Sequence, residues 1–143
     1  MALKYKYDIT RKIVDKVVRW LRRLDLVPQH YYLLTVPGRK TGLPRSKPVA
    51  LVEDGGQKWL VAPYGEVNWV LNARVAGKVT IARGGHSEEF SIKELPVEER
   101  ASVLKQYITL FPITRSYFDT QPSDPVDKFL PEAQWRPVFL LRN

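Results

Sequence analysis

The chain is 143 residues long, contains no cysteine and carries a formal net charge of +8. A chain of this length can bury one hydrophobic core, so we expect a single domain spanning residues 1–143. The lack of cysteine excludes disulfides and thiolate metal sites and is typical of a reducing compartment, so we expect a cytoplasmic location. Its two histidines, His30 and His86, show no zinc-ligand spacing, so we expect no metal site.

The positive charge is concentrated in the first third of the chain. Residues 1–47 hold 12 Lys and Arg against 3 Asp and Glu, whereas the remainder is close to neutral. This asymmetry indicates an anionic partner. The candidates are a charged cofactor, a membrane surface and nucleic acid. No nucleic-acid-binding motif accompanies the charge, so we expect no nucleic-acid partner.

The first predicted element is an amphipathic helix over about residues 9–24. Apolar residues recur there at three- and four-residue steps, and basic residues fill most of the remaining positions beside Trp20. Either the helix docks on the domain with its basic face in water, or it lies on the anionic inner face of a membrane. We favour docking and keep weak contact with a membrane surface as the alternative. The apolar stripe consists of Ile13, Val14, Val17, Val18, Leu21 and Leu24.

Six short strands are predicted after this helix, several of them joined by hairpin turns. The first three follow each other without crossover helices, which disfavours a parallel nucleotide-binding sheet. We therefore expect an α+β, mainly β fold, namely a small antiparallel barrel of about six strands with flanking helices. The predicted strands are His30–Val36, Pro48–Glu53, Lys58–Ala62, Lys78–Ala82, Ser87–Leu95 and Val138–Leu141, with helices at Glu66–Val75 and from Pro96, and with residues 111–134 mostly loop.

The connection between the first two strands, residues 38–47, is rich in basic residues. It carries Arg39, Lys40, Arg45 and Lys47, two glycines and no acidic residue. Arginine offers forked donors and lysine a mobile point charge, so the segment suits a phosphate or carboxylate group. A solvated basic turn is the alternative interpretation. The spacing does not match the phosphate loop of nucleotide hydrolases.

A second segment offers polar groups for a flat ring system. Pro63-Tyr64-Gly65 interrupts a strand, and the predicted helix after it holds Asn68 and Asn72 one turn apart. Their amides could bind the heteroatom edge of a ring, while Trp69 would contact that ring or fill the core. No pair of nucleophile and base stands out in the chain. We therefore expect its chemistry to come from a cofactor.

The run Leu34–Pro48, with its Gly-Arg-Lys-Thr-Gly-x-Pro-Arg-x-x-Pro pattern, resembles the deazaflavin-dependent nitroreductase family, which also contains quinone reductases. The similarity continues through Leu60-Val61-Ala62 and Trp69-Val70-Leu71-Asn72 and covers about residues 10–110. It implies a split β-barrel related to oxidoreductases that bind FMN. It also implies reduced coenzyme F-420, a deazaflavin, as hydride donor, with FMN as the alternative ligand.

The resemblance further implies a set of site residues. Lys47 makes the basic segment more basic than in relatives, and the stretch after Ala62 is shorter than theirs. The family has a tyrosine on the acceptor side beyond the second helix, and Thr114, at the nearest spacing, cannot replace it. Tyr117 and Phe118 are the nearby candidates for this position, and Tyr117 is the candidate catalytic residue. The implied cofactor-binding residues are Arg39, Lys40, Thr41 and Arg45 for the anionic tail, with Lys47 beside them, Pro48, Val49 and Ala50 for the ring pocket, Ala62, Pro63, Tyr64 and Gly65 for backbone contacts, and Trp69 and Asn72 at the deazaflavin.

The leading hypothesis is an oxidoreductase that transfers a hydride from reduced F-420 to a quinone-like or other planar electron acceptor. The alternative is a non-catalytic carrier of the same fold that binds a flavin, a haem-like molecule or a lipid. A homodimer is a further expectation, because barrels of this class often pair.

Overall fold

The computed structural model describes residues 30–143, so the helix predicted over about residues 9–24 lies outside the described residues. Two 3-10 helices, Pro112–Tyr117 and Val126–Phe129, precede the last helix of that range. The strands are β1 (Tyr31–Pro37), β2 (Pro44–Asp54), β3 (Gln57–Val61), β4 (Lys78–Arg83), β5 (His86–Glu94) and β6 (Val138–Arg142), and the α-helices are α1 (Asn68–Ala76), α2 (Val97–Leu110) and α3 (Leu130–Ala133).

The six strands of the described range form a closed barrel in the order β1-β2-β3-β6-β5-β4, and β4 pairs back with β1. All neighbouring strands run antiparallel. Helix α1 connects β3 to β4, and the helical segment from α2 to α3 connects β5 to β6. The prediction of a mainly β, antiparallel six-stranded barrel with flanking helices is confirmed.

Alternate residues along the strands supply two separate hydrophobic cores. Successive side chains of a strand point to opposite faces of the sheet. Accordingly, Leu51 belongs to the core inside the barrel, whereas its neighbour Val52 belongs to a second core outside it. Trp69 and Val70 of α1 join the inner core. The helical segment after β5 covers the outer core, which includes Tyr31, Val61, Leu104, Tyr107, Ile108, Phe111, Phe118, Phe129 and Val138.

Strand β2 begins inside the basic segment, four residues earlier than predicted. Its register pairs Arg45 with Val36 and Lys47 with Leu34, so these two basic residues lie on a strand rather than in a loop. The turn itself is confined to residues 38–43 and is closed by a hydrogen bond from the backbone N of Gly38 to the carbonyl O of Leu43 (2.8 Å). The apolar partners Val36 and Leu34 explain the longer pairing, because each additional residue pair of the antiparallel ladder adds packed side-chain area.

The prediction that residues 111–134 are mostly loop is wrong. The segment contains two 3-10 helices and α3, and its Phe111 and Phe129 are fully buried in the outer core. Pro112 and Pro131 lie in the first turns of helices, where a missing N–H costs nothing, rather than in irregular chain. The segment therefore forms a packed wall over the outside of β2, β3 and β6.

Candidate functional site

Two cavities share a boundary formed by Lys47 and Trp69. The first, which we call the aromatic cavity, has a volume of about 210 Å³. Strand β2 forms one wall, and α2 with the 3-10 helix after it forms the opposite wall. The lining is mainly apolar and aromatic, as in many small-molecule sites. Besides the two shared residues it comprises Tyr31, Pro48, Val49, Ala50, Val61, Pro63, Tyr64, Tyr107, Ile113, Thr114 and Tyr117.

The second cavity, which we call the basic cavity, has a volume of about 290 Å³ and lies between β1, β2 and the start of α1. Arg45 and Ser46 contribute to its wall from β2, and Asn68 and Asn72 from α1. The two asparagines therefore face one cavity, as their one-turn spacing predicts. Since Lys47 and Trp69 line both cavities, the two cavities lie next to each other.

Lys47 stands at this junction without a carboxylate partner among the described residues. Burial lowers the pKa of its ammonium group, because the charged form loses hydration. An anionic ligand at the junction would compensate the buried charge. The lysine is thus suited to contact a negatively charged or oxygen-rich part of a ligand.

The turn at residues 38–43 is fixed on helix α1 by one buried side chain. Asn72 is 4% exposed, and its Oδ1 accepts hydrogen bonds from the backbone N of Arg39 (3.0 Å) and from its Nη1 (2.8 Å). The hydroxyl of Thr41 accepts a hydrogen bond from the backbone N of Leu43 (3.2 Å). Asn72 therefore orders the basic turn, a role that the sequence interpretation did not foresee.

The basic side chains around this turn have no acidic counterpart within residues 30–143. No carboxylate there forms an ion pair with Arg39, Lys40, Arg45 or Lys47. Elsewhere the chain pairs its charges closely: for example, Arg74 binds both Glu94 (2.8 Å) and Glu66 (3.2 Å). Four basic side chains without an acidic partner, two of which line the basic cavity, suit an anionic group such as a phosphate or a carboxylate.

Two tyrosines mark the open side of the aromatic cavity. Tyr64 and Tyr117 are each about half exposed, and their rings meet edge to face with centroids 5.2 Å apart. Gly65 follows with a φ of 85°, and a Cβ there would lie 3.1 Å from the carbonyl O of Trp135. Only glycine combines this backbone conformation with such a close approach.

A buried arginine connects the two chain segments that carry Tyr64 and Tyr117. The guanidinium of Arg136 donates to the carbonyl O of Pro63 and to that of Tyr117, so one group connects the two tyrosine-bearing segments. It also lies 3.9 Å from the ring centroids of Phe118 and Trp135. Cation–π contacts and charged hydrogen bonds together offset the loss of hydration.

Glu132 supplies the countercharge for this arginine. Its Oε1 lies 3.5 Å from Nη2 of Arg136 and accepts a hydrogen bond from the backbone N of Asp119 (3.0 Å), while its Oε2 accepts one from the hydroxyl of Thr120. The ion pair is almost fully buried, with side-chain exposures of 2% and 7%. These contacts fix the chain that follows Tyr117.

The predicted site residues divide between the two cavities and the turn. Lys47, Pro48, Val49, Ala50, Pro63, Tyr64, Trp69 and Tyr117 line the aromatic cavity, Arg45, Lys47, Trp69 and Asn72 line the basic cavity, and Arg39, Lys40 and Thr41 lie on the exposed turn. Ala62 and Gly65 line neither cavity, since Ala62 is fully buried and Gly65 packs against Trp135.

Sequence reasoning missed two residues near the aromatic cavity. Tyr107 has the helical spacing of a core residue in the helix predicted from Pro96, yet it lines the cavity. Arg136 carried no signal, because a single arginine before a strand looks like any surface charge. Its ion pair with Glu132 and its contact with the ring of Trp135 are evident only in the folded structure.

Comparisons with known proteins identify the family of the chain. Residues 5–123 match the model of a family described as F-420H(2)-dependent quinone reductase. The match spans most of the chain, so the protein is an F-420-dependent oxidoreductase. The chain belongs to the F-420H(2)-dependent quinone reductase family.

Solved structures show the same fold at low sequence identity. An F-420-H2 dependent reductase (FDR-A) is 22% identical over 82% of this chain and 97% of that chain, with a TM-score of 0.56. A structure described as a domain-swapped dimer is 20% identical over 95% and 98%, with a TM-score of 0.56. A heme binding protein from Mycobacterium smegmatis is 13% identical over 79% of this chain and 46% of that chain, with a TM-score of 0.54.

Residues 30–143 bring together no group of three or more side chains that could hold a metal ion. No helix in that part of the chain has both the length and the apolar character needed to cross a bilayer.

Proposed function

We propose that this oxidoreductase transfers a hydride from reduced F-420 to a quinone-like or other planar electron acceptor. The observation that carries the proposal is the pair of adjoining cavities, one beside four unpaired cations and the other lined by apolar and aromatic side chains. A cofactor with a flat ring and a long anionic tail needs this combination. A flat acceptor then has room beside the ring.

The basic side chains would bind the tail. Arg39 is oriented by Asn72, Lys40 is exposed on the same turn, and Arg45 projects into the basic cavity from β2. Lys47, at the junction, would contact the part of the cofactor nearest its ring. Trp69 would pack against that part, because it borders both cavities.

The aromatic cavity would orient the ring and the acceptor against each other. Bound reduced F-420 supplies the hydride, and the protein supplies orientation and a dry environment. Pro48, Val49 and Ala50 form an apolar wall on β2. Tyr117 faces them from the opposite wall, where its hydroxyl can donate a hydrogen bond to an acceptor oxygen. Such a bond favours the charge that develops on that oxygen during reduction.

Fluorescence titration of the purified protein tests the cofactor assignment. We expect oxidised F-420 to bind more tightly than FMN, and reduced F-420 to be consumed when menadione, a naphthoquinone, is added. Equal or tighter binding of FMN would contradict the proposed cofactor site. If F-420 binds tightly but reduced F-420 is not consumed in the presence of menadione or other planar acceptors, the cofactor site stands and the proposed reaction is refuted.

We also propose that residues 1–143 form one domain in which the predicted helix over about residues 9–24 docks on the barrel. Deleting residues 1–24 should then lower the free energy of unfolding. Co-sedimentation with anionic and neutral vesicles tests the alternative of membrane contact. Pelleting of the full-length protein with anionic vesicles, and its loss on truncation, would favour the membrane surface.

A homodimer is proposed as the assembly. One solved structure of this fold is described as a domain-swapped dimer, which supports pairing as an option for the fold. Light scattering across a range of protein concentrations tests it, and a monomer mass at all concentrations would refute it.

A further inference from the structure

Tyr107 is an enclosed phenol in the aromatic cavity. It lies on the buried face of α2, is 6% exposed and lines the cavity wall. Within the described part of the chain no protein group forms a hydrogen bond with its hydroxyl. The hydroxyl oxygen remains accessible from the cavity, so a polar ligand atom there can accept its hydrogen bond.

Packing fixes the direction of this phenol. The ring meets Phe111 edge to face at a centroid distance of 5.4 Å and lies 6.3 Å from the ring of Phe118. Phe118 in turn lies under the guanidinium of Arg136. A hydroxyl held in this way is preorganised, because little side-chain entropy remains to be lost when a ligand binds.

Tyr107 differs from the two tyrosines at the open side of the cavity, Tyr64 and Tyr117. Tyr64 and Tyr117 stand at its open side and are about half exposed, so water can compete for their hydroxyls. Tyr107 belongs to the same helical wall as Thr114 and Tyr117, opposite the β2 residues. A planar acceptor that lies against a ring on β2 would thus meet Tyr107 at its inner edge.

We propose that Tyr107 donates a hydrogen bond to a carbonyl oxygen of a quinone-like acceptor and so fixes its depth and orientation in the aromatic cavity. This inference rests on the proposed function. In that reaction the quinone gains a hydride from reduced F-420, which brings two electrons, and one proton from water at the open side of the cavity, to give the hydroquinone.

Tyr107 keeps its own proton throughout. Burial raises the pKa of its phenol well above the ordinary range, since the phenolate would be poorly solvated. The group is therefore neutral at physiological pH and acts as a donor that binds the acceptor. It does not deliver a proton to the product.

The test compares Tyr107→Phe with wild type, using menadione as the probe. We expect the KM for menadione to rise by about tenfold, the effect of losing one hydrogen bond of ~1.4 kcal/mol, with unchanged affinity for oxidised F-420. The variant should be about as stable as wild type, because the hydroxyl that it lacks forms no hydrogen bond with the protein. An unchanged KM would overturn the proposal.

Tyr32→Phe is the matched control. The hydroxyl of Tyr32 donates to Oε1 of Glu53 (2.6 Å) and lies outside both cavities. This variant should lose stability and keep the wild-type KM, which is the opposite pattern. A rise in KM in both variants would show a general structural effect and contradict a specific role for Tyr107.

A binding measurement separates this proposal from the proposed function. Menadione alone should raise the unfolding temperature of wild type and raise it less in Tyr107→Phe, without any cofactor present. If wild type binds menadione in this way but does not reduce it, the proposed reaction fails and the role of Tyr107 in binding stands. If menadione stabilises both proteins equally, the role of Tyr107 fails.

Discussion

Two arginines of this protein, Arg39 and Arg136, are both fixed in place but by opposite means. Arg39 is exposed on the basic turn, and a neutral amide, that of Asn72, orients it. Arg136 is buried behind the aromatic cavity, and a carboxylate, two backbone carbonyls and two aromatic rings surround it. The first keeps its charge available for a ligand, whereas the second uses its charge within the protein.

The difference separates binding from architecture. A neutral partner orients a cation without cancelling its field, so Arg39 can still attract an anion. A buried cation is tolerated only when hydrogen bonds and a countercharge replace water, which is the situation of Arg136. Substitutions at the two sites should therefore affect different measurements.

The largest effect is expected for Arg136→Met. Loss of the guanidinium leaves Glu132 buried without its countercharge and releases the carbonyls of Pro63 and Tyr117, so the free energy of unfolding should fall by about 3–5 kcal/mol. Chemical denaturation measures this loss. The double variant Glu132→Gln/Arg136→Met should recover part of it, and a single variant as stable as wild type would show that the ion pair contributes nothing.

Substitution in the basic segment should weaken cofactor binding instead. Arg39→Ala, Lys40→Ala or Arg45→Ala should each lower the affinity for oxidised F-420 by about 1.5–3 kcal/mol, the range for hydrogen bonds to charged groups. Stability should change by no more than ~0.5 kcal/mol, as for other surface positions. Titration at two salt concentrations should show a smaller salt effect in the variants than in wild type.

Lys93→Ala is the control for these variants. Lys93 is exposed on β5 and lines neither cavity, so its loss removes the same charge at a distance from the proposed site. Equal weakening in Lys93→Ala would mean that net charge, and not the basic segment, governs binding.

A smaller effect on stability is expected at the third charged site, the carboxylate of Glu94. It binds Arg74 and Arg100 at 2.8 and 3.2 Å, and the hydrogen bond from Arg74 is the main cause of its lowered pKa. A carboxyl group with a lowered pKa stabilises the fold fully at a pH above its unfolded-state pKa of about 4. This contribution is lost as the pH falls through the lowered pKa of the folded state. Glu94→Gln should cost about 1 kcal/mol at pH 7 and flatten the acid limb of the stability curve.

The smallest effect on the free energy of unfolding is expected for Lys47→Met. Because burial lowers the pKa of Lys47 in the folded state, the unfolded chain binds more protons between that lowered value and about 10.4, and stability rises with pH across this window. Lys47→Met should raise stability slightly at pH 7, by less than ~1 kcal/mol, and remove this slope while weakening F-420 binding. Lower stability in Lys47→Met would show that the side chain packs favourably as a cation.

The sequence was sufficient for the barrel but not for the details of its site. Turn residues and alternating apolar patterns act over a few positions, so the six strands could be predicted. The start of β2 could not, because pairing of Lys47 with Leu34 depends on the partner strand. Helix α1 begins at Asn68 instead of Glu66, and Val75, the apolar residue at the end of the predicted helix, is 70% exposed.

The residues that line the two cavities were predictable where they lie close together in the chain. The basic segment is followed directly by Pro48, Val49 and Ala50 on β2, so one sequence motif contains both groups. Arg136, in contrast, contacts Pro63 and Tyr117 from a distant position, and such contacts leave no local pattern. Tyr107 had the spacing of a core residue, and its hydroxyl was the only sign of another role.

Gly65 limits how the acceptor range of this enzyme can be altered by protein engineering. Any side chain there would push on Trp135, whose ring rests on Arg136, so a change at the cavity rim would reach the buried ion pair. Ile113 and Tyr64 border the same cavity but are about half exposed, and libraries built at these two positions should vary acceptor choice at little cost in folding.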